Sequence, residues 1–310
     1  MKCKMYKYKS LKCRNEIEHL KDSLQQKIWM PRLESINDPF EGFFKLKSSP
    51  GYVLKDKKLR DFFFNRCKKN NPDLTDEGFK DCLRSPEFEN DLNSNQKLYR
   101  ELFTDYSVFS LTNCPSNIPM WSHYGNQHQG ICIIFKVDLD ILCGETKIPE
   151  SILNGAEIGL KSIQSKDGSS LIWGFSKVKY EKEPAILCFE TWNEKDKFLQ
   201  TEYVLEKVLA VKFHQWSYEQ EYRLIANKSS AMGDLMPLNL APFLSIAGVI
   251  IGVNAKFKDE IECLCQEYRI DLYQAHCSST EYKITIGKVL DHGHKIESLE
   301  PVCNCKCLCN

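Results

Sequence analysis

From Ile246 onward the chain admits few arrangements. An unbroken apolar run at Ile246–Gly252 is followed by apolar positions at helical spacing over Asp259–Tyr268, then by short alternating runs at Asp271–Ala275 and Tyr282–Ile286. An apolar run of this length fits a strand covered on both faces, and a helix between strands closes over a sheet. The pattern predicts strand, helix, strand, strand, and a mixed sheet with helices packed on it.

The rest of the chain extends that reading. Met5–Lys9 alternates and suits a short edge strand, and Ile17, Leu20 and Leu24 recur as the apolar stripe of an amphipathic helix over 14–26. Ile28–Pro31 reads as a short strand. In the segment after it, Asp38 has the chemistry of a helix N-cap, Pro39 suits the first helical position and Glu41 is placed as a capping-box partner; the plainer alternative is a tight turn. Residues 50–106 are charged and mostly helical, with Leu59, Phe62, Phe63 and Cys67 in one packing stripe and Leu98, Leu102 and Phe103 in another, beyond an Asn-rich break at 90–95. Strands are expected at Ser107–Thr112, Gly130–Val137, Val178–Tyr180, Leu209–Phe213 and Tyr218–Ala226, a loop at 161–170 and a helix at 193–207. No repeat or linker interrupts this. The expectation is one α+β domain over 1–290, with a central, partly antiparallel sheet split by helical insertions (about 55–106), and a Cys-rich tail at 291–310.

Composition narrows the classes of function. The 310 residues hold 42 Lys+Arg against 42 Asp+Glu, a balance unlike that of a protein that coats polyanions. Hydrophobic residues at 42% are enough to build a core. No apolar run reaches the ~20 residues of a membrane helix. Met1-Lys2-Cys3-Lys4 opens without the apolar stretch of a secretory leader, so a cytoplasmic protein without membrane contact is expected. That compartment argues against a disulfide framework among the fifteen cysteines. Cys132, inside an apolar run, reads as a small buried hydrophobe. Cys303, Cys305, Cys307 and Cys309 alternate rather than pairing at zinc-loop spacing, so a disordered tail is expected ahead of a soft-metal site.

Two segments concentrate functional side chains. Trp121–His128 holds Trp121, His123, Tyr124 and His128. The two histidines are five apart, a spacing that does not pair ligands on one helical face, so no metal site is expected there. Trp121 and Tyr124 with a histidine suit a stacking platform for a nucleobase or nicotinamide; the alternative is that both aromatics are core. The second segment is Tyr218-Glu219-Gln220-Glu221-Tyr222-Arg223, where strand alternation would set Glu219, Glu221 and Arg223 on one face. Paired carboxylates of this kind raise one partner's pKa or aim two acceptors at a ribose; the plain alternative is a solvated strand face. Dinucleotide, phosphate-loop, hydrolase-elbow and zinc-protease motifs are absent.

Several blocks together resemble a known family. Tyr6-Lys7-Tyr8, Asn37-Asp38-Pro39-Phe40-Glu41, Met120-Trp121-Ser122-His123-Tyr124 with His128 and Gly130, Lys212, Trp216, Tyr218–Arg223 and Gly252 occur in an order similar to the bacterial domain-of-unknown-function 2971 family. That family carries no assigned activity. The layout, an opening strand and a late strand bearing Glu-x-Glu, also resembles ADP-ribosyltransferases, with Tyr6, Lys7 or Tyr8 where that superfamily has Arg or His.

The second resemblance implies an NAD-consuming transferase, an effector of the toxin or phage-defence kind. Glu221 and Glu219 would be catalytic, the first on the ribose and the second on the acceptor. Trp121 or Tyr124 would stack on nicotinamide, and Arg223 or Lys7 would meet a phosphate. Tyr8, Asn37, Asp38, His123 and His128 complete the expected NAD contacts. The partners implied are a nucleotide-type small molecule, an acceptor protein or nucleic acid, and a cognate antitoxin. Two other readings remain open, a non-catalytic nucleotide- or protein-binding module and a metal-assisted hydrolase using His123 or His128. The expectation that tests the site is geometric: Tyr8, Asn37, Trp121 and Glu221 should line a single cleft.

Overall fold

The computed structural model describes residues 2–25, 27–36, 38, 40–47, 49–88, 90, 106–143, 159–164, 170–188, 203–227, 235–237 and 241–293. Its strands are β1 (Lys2–Lys9), β2 (Lys27–Trp29), β3 (Phe44–Lys47), β4 (Tyr106–Thr112), β5 (Ile131–Asp138), β6 (Gly159–Gln164), β7 (Ser170–Lys177), β8 (Lys179–Glu181), β9 (Ala185–Cys188), β10 (Val211–Phe213), β11 (Glu221–Asn227), β12 (Leu235–Pro237), β13 (Leu244–Ile251), β14 (Asp271–Cys277) and β15 (Ile284–Leu290). The helices are α1 (Ile17–Leu24), α2 (Pro50–Lys55), α3 (Lys57–Asn70), α4 (Asp76–Arg84), α5 (Ile118–His123), α6 (Leu139–Cys143) and α7 (Lys258–Glu267).

Nine strands make one mixed sheet in the order β15-β14-β13-β5-β1-β4-β11-β7-β6, and the architecture is α+β. Residues on one face belong to a core shared with the helices α1 and α7: Phe109, Leu111, Ile133, Phe135 and Leu224 pack with Leu20, Leu24 and Ile261. The other face is divided. Val108 and Ile225 pack with Val53, Phe63 and Phe79 of α2–α4, while Tyr6, Tyr8, Cys132 and Ile134 pack with Met120 and Trp121 of α5. The candidate site opens on this divided face.

The C-terminal pattern holds as expected, with β13, α7, β14 and β15 in place and β13 pairing in parallel with β14. Cys132 is fully buried, as its apolar run implied. Three other expectations change. β1 is not an edge strand: it pairs with β5 along its whole length and touches β4 at Tyr6↔Thr112. Lys7 and Lys9 alternate onto the α1 side of the covered sheet, whereas Lys2 and Lys4 share the face of Tyr6 and Tyr8, with Lys2 exposed. Residues 161–164 of the expected loop lie in β6, which forms an antiparallel pair with β7. His214–Glu219 is a 3-10 turn, so the strand that was expected from Tyr218 starts at Glu221. The helix expected at 193–207 is present where it is described, at Tyr203 and Val204, and continues past 207 as a π-helical turn over Leu205–Leu209. The Asn-rich break, the stripe at Leu98, Leu102 and Phe103, residues 193–202, Asn37, Pro39 and the four tail cysteines lie outside the described residues.

Candidate active site

Register across three central strands builds the floor of a cleft. Tyr6 of β1 pairs with Thr112 of β4, Thr112 pairs with Glu221 of β11, and the next same-face pair is Ser110 with Arg223. Because a strand repeats every two residues, Tyr6, Tyr8, Ser110, Thr112, Glu221 and Arg223 therefore share a face. The cleft over them measures about 290 Å³, with Ile36, Val108 and Met120 as apolar wall and Tyr124, Lys212 and Glu219 at its polar end.

The acidic pair is real, but alternation does not make it. Gln220 adopts a left-handed conformation (φ 47°, ψ 47°) between the 3-10 turn and β11, which turns Glu219 back toward Glu221. Lys212 of β10 fills the gap, with Nζ 2.7 Å from Glu219 Oε2 and 3.2 Å from Glu221 Oε2. Two like charges cannot share a buried site without a cation, and Lys212 is that cation. Burial would lower its ammonium, yet the surrounding carboxylates, Glu221 first, outweigh that and raise it.

The two glutamates differ in state. Burial would push Glu221 upward, but Arg223 and Lys212 overcome it and bring the carboxyl down to about 2. Its oxygens accept from Arg223 Nε at 2.9 Å, from Arg223 Nη2 at 3.1 Å and from Lys212. Glu219 moves the other way, because burial exceeds the help it receives from Lys212 and Tyr124. Each Glu219 oxygen carries one of these bonds: Lys212 to Oε2, and the Tyr124 hydroxyl to Oε1 at 2.6 Å. A carboxylate has about four acceptor positions, so Glu219 keeps spare capacity that Glu221 has largely used.

Arg223 is not open to a phosphate. It is 1% exposed and forked between two acids, reaching Glu41 at 2.6 and 2.9 Å as well as Glu221, and its Nη1 also donates to the Leu209 carbonyl. Glu41 thus serves as a buried counter-ion rather than a helix cap. Asp38 is buried, accepts from the Phe40 amide at 2.9 Å and leads a turn over residues 40–42, the tighter of the two local forms expected; it does not line the cleft.

The aromatic platform is also largely structural. Trp121 is fully buried, donates its indole N–H to the Pro115 carbonyl at 2.9 Å and meets the Tyr8 ring edge-on at 5.0 Å. His128 stacks on its far side at 6.4 Å and lies 3.2 Å from the Ser122 hydroxyl, within a run of left-handed residues, Asn126 (φ 49°), Gln127 (φ 54°) and His128 (φ 66°). Gly252 closes that loop: a β-carbon there would lie 2.3 Å from the His128 carbonyl oxygen. His123 is exposed, with its ring 5.9 Å from that of Tyr218. Of the platform residues, Tyr124 alone lines the cleft.

Tyr8 lines the cleft too. Its hydroxyl donates to the Cys114 carbonyl at 2.8 Å and accepts from the Asn117 amide at 3.3 Å, which fixes the entry to α5. Asn117 caps that helix through Met120 N and donates to the Tyr218 carbonyl at 2.6 Å, which ties α5 to the 3-10 turn. Lys7 sends its side chain to the opposite face, over the Phe109 ring and onto the Ser110 carbonyl at 2.9 Å, beside a separate cavity with Lys9, Lys27 and Trp29. No three His, Cys, Asp or Glu side chains among the described residues gather as metal ligands.

The expected convergence is therefore partial: Tyr8 and Glu221 share the cleft, and Trp121 stands behind Tyr8. Lys212 and Glu41 are central to it, yet nothing in the local pattern gave them these roles. The available signal was polarity inside strands, as with Ser110 and Thr112 in β4. All of α5, Lys212, Glu219, Glu221 and Arg223 except the first two residues of the helix fall in one stretch.

Residues 120–224 match the family described as protein of unknown function (DUF2971). This supports the family resemblance over the half of the site built by α5, β10 and β11, while Tyr6, Tyr8 and Glu41 lie before the matched span. No curated protein and no solved structure matches the chain.

Proposed function

We propose that this chain is an ADP-ribosyltransferase-like enzyme that consumes NAD, with the ribosyl end of the substrate in the cleft of Tyr6, Tyr8 and Glu219. The observation that carries the reading is the state of Glu219, a buried carboxyl with a raised pKa and free acceptor positions at the polar end of a cavity. A carboxyl raised in this way is a better proton acceptor than an ordinary one. At about 290 Å³ the cleft is at the small end of ligand sites, so it takes a nucleoside-sized part and leaves the rest of a dinucleotide outside.

In this chemistry the bond between the ribose anomeric carbon and nicotinamide breaks, and its electron pair leaves with the nicotinamide nitrogen, which becomes neutral. The cationic ribosyl species meets an acceptor that forms the new bond and gives its proton to Glu219. Glu221, held ionised beside Lys212 and Arg223, supplies a fixed negative charge near that cation. A preorganised charge of this kind is worth ~3 kcal/mol of barrier, about a hundredfold in rate. The roles are thus redistributed: Glu219 handles the proton, and Glu221 works through the field.

The test is release of nicotinamide from NAD, with water as acceptor, by the full chain and by Glu219→Gln. A fall of about a hundredfold at unchanged fold is expected. Equal rates remove the assignment. One observation favours the non-catalytic alternative: Glu221 and Arg223 satisfy one another so fully that the site resembles a structural ion cluster. That alternative predicts NAD binding by calorimetry with no nicotinamide released by the wild type.

A further inference from the structure

The helical insertion carries a feature unrelated to the cleft. Cys67 of α3 and Cys82 of α4 place their sulfur atoms 3.4 Å apart, although fifteen residues separate them in sequence. Both are thiols and both are partly buried. The seam that holds them is packed: one helical turn earlier on each helix, Phe64 and Phe79 meet edge-to-face at 5.2 Å. Burying a facing thiol pair on two packed helices leaves little to rearrange before a bond of ~2.05 Å can form, since rotation about the two side chains closes the gap.

We propose that Cys67 and Cys82 form a dithiol site for exchange with small-molecule disulfides such as oxidised glutathione. One thiol, as thiolate, attacks a sulfur of the external disulfide, forming a mixed disulfide and expelling the other half as a thiolate. The second cysteine gives up its proton and attacks the protein sulfur of that mixed disulfide, closing the Cys67–Cys82 bond and expelling the remaining half. Two electrons and two protons pass from the protein to the external disulfide, which leaves as two thiols. The product staples α3 to α4.

The full reduced chain is treated with one equivalent of oxidised glutathione, quenched, digested and mapped by mass spectrometry. The expected result is a Cys67–Cys82 cross-linked peptide as the dominant oxidised species, loss of that peptide in Cys82→Ser, and glutathione retained on Cys67 in that variant. Thermal unfolding gives a second readout: the Tm rises on oxidation of the wild type and not of Cys82→Ser. The proposal is overturned if other cysteines oxidise first and no 67–82 peptide forms, or if the two sites carry separate glutathione adducts in the wild type. The map of the wild type decides the matter even where a variant fails to fold.

Discussion

Tyr124 donates its hydroxyl to Glu219 over 2.6 Å, across ninety-five residues of sequence. This contact joins the end of α5 to the 3-10 turn before β11, and it tunes the acid on which the functional proposal rests. Tyr124 is half-buried, and burial and the adjacent Glu219 carboxylate both push its phenol upward, so it stays a donor through the neutral range.

Replacing Tyr124 by Phe therefore changes a titration. The hydrogen bond from Tyr124 lowers the Glu219 pKa against the dominant effect of burial, so its loss raises that pKa further. The limb of the pH–rate profile for NAD consumption that follows deprotonation of Glu219 is expected to move to higher pH. A limb that stays in place in Tyr124→Phe would show that another group sets it.

The Glu41–Arg223–Glu221 cluster is expected to dominate stability. Removing one partner of a buried ion pair strands the others, which costs about 3–5 kcal/mol. Arg223→Met strands Glu41 and leaves Glu221 only its Lys212 contact, with 2% and 4% of the two side-chain surfaces exposed. Lys212→Met leaves Glu221 its two Arg223 contacts and is expected to cost clearly less. Urea unfolding ranks the two variants, with the midpoint shifting and the slope unchanged.

Acid should unfold the protein in a window set by Glu221. Its carboxyl is at about 2 in the fold against an ordinary 4.5. A depressed carboxyl contributes stability that is fully present above the unfolded value and is lost as the pH falls through 4.5 toward 2. The contribution is on the order of 3 kcal/mol. Stability measured against pH should fall over that window in the wild type and fall less steeply in Glu221→Gln.

Lys7 gives the opposite sign. Burial brings its ammonium down to about 8 from an ordinary 10.5. Between those values the unfolded chain holds more protons than the folded one, so stability rises with pH through the window. Lys7→Met is expected to raise the Tm at neutral pH despite losing the bond to the Ser110 carbonyl, and to abolish the rise toward about pH 10. A lowered Tm would mean that this bond and the Phe109 contact outweigh the cost of burying the charge.

Much of the secondary structure was legible because it is written in local periodicity. The apolar run at β13, the stripe Ile17, Leu20, Leu24 of α1 and the alternation of β4 each depend on neighbours a few residues away. β1 was legible as a strand and illegible as a central one. Its lysines mimic a wet face, and only the packing of α1 over the sheet shows that Lys7 is covered. The Glu219–Glu221 pair was legible as a pair, but the left-handed Gln220 that aligns it obeys no sequence rule for glutamine.

By its own order of residues the chain determined a mixed α+β fold and two segments dense in functional groups, since hydrophobic periodicity acts over short range. Tertiary structure alone decided which of those groups face a cavity. Arg223 became interior because its forked guanidinium meets Glu41 from a distant turn, and Trp121 because the Tyr8 ring of β1 packs edge-on against an indole whose N–H bond to Pro115 is local. Glu219 became the reactive candidate because burial acts there together with Lys212, seven residues before it, and Tyr124, ninety-five before it, and the free energy of a charge depends on what surrounds it in space.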